Sequence, residues 1–213
     1  MPMHLPQKTI RLPERRALLV FALSCVLSLP LQAQTAFDLP QLTQLLSQVK
    51  TGEATFKEKR TVDMLERTLE SSGRLSFAAP DTFVRETLKP RQEKVAVVGN
   101  SVTMSAGSRS RTVPLDSVPE AAVIMEAIRG TLTGNRELLE RHFNAVVSGS
   151  AQRWSLELVP IEPRLRELVR SVQLGGQQSQ VREVTVTMSD GDRSVMTIEP
   201  MAAAAPKPAA SAS

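Results

Sequence analysis

The sequence predicts an α+β fold: one large, curled antiparallel sheet with helices that cover its concave face. Short segments rich in Val, Thr and Phe recur roughly every ten residues between turn signals, which is typical of an antiparallel meander. Amphipathic stretches precede and interrupt these segments. Because a sheet of roughly eight or more strands curls strongly, its concave face has to be filled, and the helices are the available filler.

The clearest helix is predicted over Asp38–Val49. Its apolar residues recur at helical spacing and share one face. They are Leu39, Leu42, Leu45, Leu46 and Val49. Asp38 can cap the N-terminus, Gln41 completes a capping box, and Gly52 ends the helix.

Between Glu53 and Val113 the apolar residues follow the period of strands. The predicted strands are Ala54–Val62, Thr68–Phe77, Thr82–Leu88, Lys94–Val98, Val102–Ser105 and Ser110–Val113. Turn-forming residues such as Ala79-Pro80-Asp81 and Gly99-Asn100-Ser101 separate them.

A second helical patch follows these strands. Ser117 and Glu120 form a predicted capping box, with Pro119 in the first turn. Its apolar stripe consists of Val123, Ile124, Ala127 and Ile128. A helix that is apolar over so wide an arc either packs as an ordinary core helix or meets a second apolar partner. A third, short helix is predicted over Arg136–Phe143.

Strands resume after the third helix. Apolar residues alternate with polar ones, as in a half-buried strand, at Trp154, Leu156 and Leu158. A helical turn at Leu165 leads into a further strand. Val184–Met188 and Ser194–Glu199 are predicted to pair across an Asp190-Gly191 hairpin turn.

Residues 1–33 are predicted to be a signal peptide that directs the chain to the periplasm. A basic segment around Arg15 precedes the apolar run Ala17–Leu29, and Leu31-Gln32-Ala33 fits a cleavage site. The run is too short to span roughly 30 Å of hydrocarbon. An uncleaved anchor and lipidation of Cys25 are the alternatives.

Removal of the predicted signal peptide lowers the net positive charge of the chain. The whole chain has 26 Lys and Arg and 22 Asp and Glu, but residues 34–213 keep 22 basic and 21 acidic residues. This balance, without a basic cluster between aromatic residues, argues against nucleic-acid binding. Residues 34–200 are predicted to form one domain, and residues 201–213 an Ala/Pro/Ser tail that should be disordered.

The mature sequence lacks catalytic and metal-binding patterns. It has no Cys and a single His, His142, which we interpret as a surface or boundary residue. Asp190-Gly191-Asp192 is better explained by a hairpin turn than by a calcium loop. We therefore expect a non-enzymatic protein without a cofactor or metal. Aromatic residues make up only 3% of the chain, so aliphatic cargo suits it better than bases or sugars.

Five short sequence segments between Leu39 and Glu199 carry a family resemblance: Ala54-Thr55-Phe56-Lys57-Glu58, Gly73-Arg74-Leu75-Ser76-Phe77, Pro80-Asp81-Thr82-Phe83, Val98-Gly99-Asn100-Ser101-Val102 and Trp154–Pro160. In order and spacing they resemble segments of the LolA-like family of periplasmic outer-membrane lipoprotein carriers. The helix over Val118–Ile128 takes the place of the family's lid helix.

This resemblance implies a half-open β-barrel whose concave face is closed by helices, and a function as a periplasmic carrier. A cavity between sheet and lid would take up the acyl chains of a lipoprotein or lipid and deliver them to the outer membrane. It also implies an inner-membrane donor and an outer-membrane acceptor, and we expect the carrier to be a monomer.

Three positions depart from the family pattern. The family's arginine that holds the lid closed falls at Ala79, an aromatic residue falls at Arg85, and an aromatic-rich segment falls at Val102-Thr103-Met104. We therefore hypothesise that the cargo is another acylated or polyene-like lipid.

The predicted ligand-binding residues of the apolar cavity are Phe77, Phe83, Met104, Val123, Ile124, Ile128, Trp154, Leu156 and Leu158. Each can equally be a plain core residue, because the core face of a half-open barrel is also its binding face. Strand register decides which side chains face inward, since a slip of one residue turns a whole strand over.

Other functions compete with the carrier. The same fold can serve as a regulatory module that senses a periplasmic lipid or lipoprotein. A hydrolase that uses His142 as its base and a structural subunit of an envelope assembly are the further alternatives.

Overall fold

The structure is a computed structural model that describes residues 37–65 and 67–201. The predicted signal peptide over residues 1–33 and the predicted tail beyond Met201 lie outside the described residues.

The described chain contains four α-helices and eleven strands. The helices are α1 (Leu39–Leu46), α2 (Pro119–Thr133), α3 (Arg136–His142) and α4 (Pro163–Arg166). The first six strands are β1 (Thr51–Val62), β2 (Arg67–Ala78), β3 (Thr82–Lys89), β4 (Glu93–Val98), β5 (Ser101–Ala106) and β6 (Arg109–Pro114). The others are β7 (Phe143–Ser150), β8 (Arg153–Pro160), β9 (Val169–Gln177), β10 (Gln180–Met188) and β11 (Arg193–Pro200).

All strands belong to one antiparallel sheet with the order β6-β5-β4-β3-β2-β1-β11-β10-β9-β8-β7. Neighbours in this order are also neighbours along the chain, except that β1 pairs with β11 in the middle of the sheet. Strands β6 and β7 are the two edges and do not pair with each other, so the sheet stays open. The predicted fold class, an α+β protein with one large antiparallel sheet, is confirmed.

Helix α1 begins as its sequence predicts but ends earlier: it stops at Leu46 with Ser47 as its C-cap, and Gly52, which was expected to end it, lies in β1. The Asp38 side chain accepts a hydrogen bond from the Gln41 backbone N–H at 3.0 Å, and the Asp38 N–H donates to Gln41 Oε1 at 3.3 Å, which completes a capping box. Leu42 and Leu46, on the apolar face, are 0% and 1% exposed.

Helix α2 differs from the prediction at both ends. The expected capping box at Ser117 is wrong: Val118 is the N-cap residue, and the Ser117 hydroxyl donates to the carbonyl of Pro114 at 2.6 Å. The helix runs on to Thr133 and ends at Gly134, whose φ of 64° suits glycine. A Cβ at Gly134 would lie 2.1 Å from the Thr43 carbonyl oxygen, so this glycine allows the end of α2 to pack against α1.

Strand β7 was not predicted from the sequence. The third helix was expected to include Phe143, but α3 ends at His142 and Phe143 begins the strand. Phe143 is nevertheless buried, and the predicted apolar side formed by Leu139 and Phe143 does enter the core.

Two groups of buried apolar residues lie on the face of the sheet that carries the helices, which we call the inner face. The tight core consists of Leu42, Leu46, Val123, Ala127, Leu139, Phe143, Trp154, Leu156, Leu158, Val169, Val172 and Leu174, each at most 3% exposed. The loose core consists of Phe83, Val97, Val102 and Leu115, which are 4–9% exposed.

Helix α2 belongs to both cores. Val123 and Ala127 are part of the tight core, whereas Met125 and Ile128 pack as partly buried side chains against the loose core. The wide apolar arc of this helix is thus used on two sides. Every helix in the described part of the chain is too short or too polar to cross a membrane.

Candidate functional site

Strand pairing places an apolar row across the inner face of β2–β6. Cross-strand partners in this row are Phe77, Phe83, Val97, Val102 and Val113, in that order. The rings of Phe77 and Phe83 stack with centroids 5.2 Å apart. Three residues of this row, Phe83, Val97 and Val102, belong to the loose core, against which side chains from α2 pack. We therefore call this row the covered row.

A second row runs beside the covered row. Each of its residues is two positions away from the covered-row residue on the same strand and therefore lies on the same face. Its cross-strand partners are Leu75, Arg85, Val95, Met104 and Arg111. Met104 is 40% exposed, and Val95 packs against the edge of the loose core. Because this row is less covered than its neighbour, we call it the open row.

A depression of about 270 Å³ occupies the edge end of the open row. Its lining residues are Glu93, Lys94, Val95, Met104, Ser105, Ala106, Arg109, Ser110 and Arg111. Val95, Met104 and Ala106 supply apolar surface there. Since Val95 also touches the loose core, the apolar floor of the depression continues under α2.

A polar cluster interrupts the inner face at the middle of the sheet. Arg85 Nη2 donates to Glu58 Oε2, and the Arg85 guanidinium carbon lies 4.6 Å from the centroid of the Phe56 ring. Ser71 donates to the same carboxylate at 2.9 Å and Ser194 at 2.5 Å. The Arg85 charge is therefore already matched by a carboxylate and rests on an aromatic face.

The carboxylate of this cluster has a shifted pKa. Burial acts to raise the pKa of Glu58, but hydrogen bonds from Arg85, Ser194 and Ser71, together with the charge of Arg85, hold it below its ordinary value. Glu58 is therefore charged at neutral pH, and the cluster is an ion pair.

A second ion pair joins β1 to the β10–β11 hairpin. Arg60 Nη2 donates to Asp192 Oδ2 at 2.8 Å, and the Asp63 N–H donates to Asp192 Oδ1 at 3.1 Å. The Arg60 hydrogen bond is the main reason why the pKa of Asp192 lies below its usual value. The predicted Asp190-Gly191 hairpin turn is confirmed, with Gly191 at a φ of 99°. Asp192 has a structural role there.

Helix α2 is held to the sheet by Arg129. Its Nη2 donates to the Gly99 carbonyl in the β4–β5 hairpin at 2.7 Å, while its buried Nε finds no partner among the described residues. On the opposite side, His142 Nδ1 of α3 lies 3.6 Å from Glu126 Oε2 of α2. The helix thus makes polar contacts both with the β4–β5 hairpin and with α3.

A second depression, of about 310 Å³, lies over β1–β3 and β11. It is lined by Thr55, Phe56, Lys57, Ser72, Gly73, Arg74, Leu88, Thr197 and Glu199. Thr55 and Lys57 alternate with the inward-facing Phe56, so this depression opens on the outer face of the sheet. Within the described residues, no group of three or more His, Cys, Asp and Glu is placed to hold a metal ion.

A comparison with known protein families shows to which family the chain belongs. Residues 31–213 match the family described as "Outer membrane lipoprotein carrier protein LolA-like". The chain belongs to this family. LolA-like proteins are lipoprotein-binding and carrier modules of the periplasm and are not a known enzyme family.

Solved structures with a similar fold have low sequence identity to this LolA-like chain. A LolA superfamily protein NE2245 from Nitrosomonas europaea is 9% identical, with coverage of 79% of this chain and 93% of that chain and a TM-score of 0.42. A putative outer membrane lipoprotein-sorting protein domain from Vibrio parahaemolyticus is 10% identical, with coverage of 80% and 94% and a TM-score of 0.41. No curated protein matches the chain.

The structure separates the predicted cavity residues of this LolA-like chain into two groups. Val123, Trp154, Leu156 and Leu158 lie in the tight core and are at most 2% exposed, while Ile124 packs against that core. The remaining four lie in the other half: Phe77, Phe83, Ile128 and Met104.

Side chains of the protein itself enclose the first group. The Trp154 indole N–H donates to the Gln178 carbonyl at 2.8 Å, which fixes its ring. The second group borders the depression or the row that leads to it. That these residues bind a ligand stays a prediction for both groups.

Sequence reasoning missed the residues that border the depression with Met104. Val95 lay in a predicted strand and was not selected, and Arg109 was not assigned to any strand. The alternation of Arg109, Arg111 and Val113 was a usable signal, because it places two cations and a valine that packs against the loose core on one face of an edge strand.

Proposed function

We propose that this chain is a periplasmic carrier that binds the acyl chains of a lipoprotein or lipid on the inner face of β2–β6 and delivers them to the outer membrane. One observation supports the proposal most strongly. The apolar surface under α2 does not end at the helix but continues, partly exposed, into the depression at Met104.

The size of the depression indicates how cargo enters. At about 270 Å³ it lies just below the range of roughly 300–1,000 Å³ that ligand pockets usually have. It can take the end of an acyl chain, and the rest needs the covered row. We therefore propose that α2 moves away from Phe83 and Val97, and that the Arg129 link to Gly99 holds it in place until then.

Burial of methylene groups supplies the binding free energy. Each buried CH₂ contributes about 0.8 kcal/mol, so even a partly covered acyl chain is held without polar contacts. Met104 is suited to such a surface because its unbranched side chain adapts to different cargo shapes. The tight core frames the site and takes no cargo, because its residues already fill their own space.

The proposed pathway has two further participants. A donor at the inner membrane hands the cargo over, and an acceptor at the outer membrane receives it, with the carrier crossing the periplasm as a monomer. Release of the acyl chain is favoured because its apolar contacts can be exchanged for similar contacts with the acceptor.

The first experiment measures what the protein carries. The full chain is expressed with its own N-terminus, purified from the periplasm and examined by native mass spectrometry followed by lipid extraction. We expect a population with a co-purified acylated molecule. Protein recovered from the periplasm without lipid, together with no binding of any acyl probe, would contradict the proposal.

A matched pair of variants then locates the site. Met104→Gln places a polar amide in the depression, and we expect it to weaken binding of a neutral acyl ester by about tenfold, because the amide must be desolvated. Val146→Gln makes the same polar change on edge strand β7, where Val146 is 59% exposed, and should bind as the parent does. Equal loss in both variants would place the site elsewhere.

A further inference from the structure

Cationic side chains surround the open end of the proposed acyl site. Arg109 and Arg111 line the depression and share a face with Met104 and Ala106, together with one carboxylate from Glu93. Lys94 also borders the depression, but it alternates with the inward-facing Val95, and its Nζ lies 3.4 Å from Glu86 Oε1. Among the described residues, Arg109 and Arg111 form no ion pair.

The two arginines are also placed on the face where cargo would lie. Arg111 is the direct cross-strand partner of Met104, and Arg109 is the partner of Ala106. Both residues are exposed, and β6 is an edge strand, so no neighbouring strand covers them. An apolar floor that ends at two unneutralised guanidinium groups matches an amphiphile with an aliphatic tail and an anionic head.

Arg85 provides an internal comparison. It belongs to the same row as Met104 and Arg111, but its guanidinium is bound to Glu58 and stacked on Phe56. The sheet therefore neutralises the arginine at its centre and leaves the two at its edge without a carboxylate partner. A guanidinium group binds carboxylate and phosphate oxygens through two parallel N–H donors, which an apolar cargo would not use.

We infer that this site selects amphiphiles with an anionic headgroup, carboxylate or phosphate, which Arg109 and Arg111 bind while the acyl chain lies along Met104 and the covered row. This inference rests on the proposed acyl binding and names the class of cargo. The carrier would then recognise both ends of its cargo: the tail by burial and the head by charge.

The test compares probes that differ only in their heads. Purified full chain is titrated with cis-parinaric acid, a fluorescent polyene fatty acid, and with its methyl ester, both below their aggregation limits. Didecanoyl phosphatidylglycerol and didecanoyl phosphatidylcholine are then used as competitors. We expect the acid to bind about five- to tenfold more tightly than the ester, as a charge-assisted hydrogen bond at an accessible site predicts.

Variants assign the preference to the two arginines. Arg109→Gln/Arg111→Gln should abolish the preference, so that the acid and the ester bind with similar affinity, while Arg109→Lys/Arg111→Lys should keep part of it. Arg170→Gln, an exposed arginine on β9, is the matched control for lost charge. The competitors separate the sources: displacement by phosphatidylglycerol but not phosphatidylcholine extends the anionic class from carboxylates to phosphates.

The outcomes are distinguishable. If acid and ester bind equally to the parent protein, the headgroup inference is overturned and acyl binding stands. If neither probe binds, acyl binding itself fails. A preference for the acid that survives in the Gln double variant would also overturn the assignment to Arg109 and Arg111. Circular dichroism and thermal unfolding of each variant show that the fold is retained.

Discussion

The two halves of the sheet use the same helix in different ways. In the half formed by β7–β10, side chains from α1, α2 and α3 complete a core whose members are at most 3% exposed. In the half formed by β2–β6, α2 and the turn at Leu115 cover residues that stay 4–9% exposed, and the apolar surface runs on beyond the helix. One half therefore holds the more completely buried core, and the other keeps part of its apolar surface accessible, which under the proposed function is the surface that takes up cargo.

The largest loss of stability is expected from truncating a side chain of the tight core, in the half of the sheet formed by β7–β10; we call this the tight half and the half formed by β2–β6 the loose half. Leu156 is 0% exposed on the central strand of that core. Leu156→Ala should lower the free energy of unfolding by about 3 kcal/mol, because it removes buried methyl groups and leaves a cavity. Urea unfolding followed by circular dichroism measures this loss. A loss below that of a surface substitution would remove the distinction between the halves.

The next effect concerns the polar cluster where the halves meet. Glu58→Gln leaves the Arg85 guanidinium without its carboxylate, and we expect a loss of about 2 kcal/mol for this half-buried pair. A double-mutant cycle with Arg85→Gln isolates the interaction. If the two single losses simply add, the pair does not couple the strands as the structure indicates.

A matched pair of valines compares the halves directly. Val172, in the tight core, is 0% exposed, and Val102, in the loose core, is 6% exposed. We expect Val172→Ala to cost about 1 kcal/mol more than Val102→Ala, because the tight half cannot relax around the cavity. Val102→Ala should also change the affinity for an acyl probe, and Val172→Ala should not. The reverse pattern would move the proposed site to the other half.

A smaller effect is expected from the link between α2 and the sheet. Arg129→Met removes the hydrogen bond to Gly99 and should lower the free energy of unfolding by about 1 kcal/mol or less, since the variant also removes a buried, unpartnered Nε. Hydrogen exchange in α2 should become faster, and an acyl probe should bind faster. Glu126→Gln, which alters the contact of α2 with His142, is the control for loosening α2 from its other side.

The smallest effect at neutral pH is expected from titration of Glu58. Its pKa in the folded protein is lower than in the unfolded chain. The stabilisation is therefore complete above the unfolded value of 4.5 and is lost as the pH falls through the folded value. Unfolding curves between neutral pH and acid should show this decline, and Glu58→Gln should make it shallower. An unchanged profile in the variant would assign acid sensitivity to other carboxylates.

Much of the fold followed from period and turn chemistry. The Asp38–Gln41 capping box, the hairpin at Gly99 and the turn at Asp190-Gly191 are local signals, and the structure confirms each of them. Strand β7 was missed because its inward-facing Ala145 and Val147 flank an outward-facing Val146, which hides the alternation of apolar and polar residues. Ser117 shows the opposite error, since a capping pattern occurs where the hydroxyl binds Pro114 instead.

The candidate site was less accessible to sequence reasoning than the fold. Alternation indicated which residues point inward, but it could not separate the tight half from the loose half, because both carry Val, Leu and Phe at the same spacing. Arg85 looked like the loss of an aromatic residue, and only its contacts with Glu58 and Phe56 show why a cation is tolerated there. These contacts depend on pairing between strands that are distant in sequence, which no local pattern reports.

The pairing of β1 with β11 has a consequence for how the chain is made. During synthesis the first six strands can join by successive hairpins, but the free side of β1 waits for the last strand, whose partner Ile198 lies beside Phe56. Until β11 is added, strands β1–β6 and β7–β10 share no strand pairing, and the edges of β1 and β10 present unpaired backbone groups. A premature stop just before β11 would leave both edges unpaired, so we expect such fragments to aggregate or be degraded more readily than a chain that keeps β11.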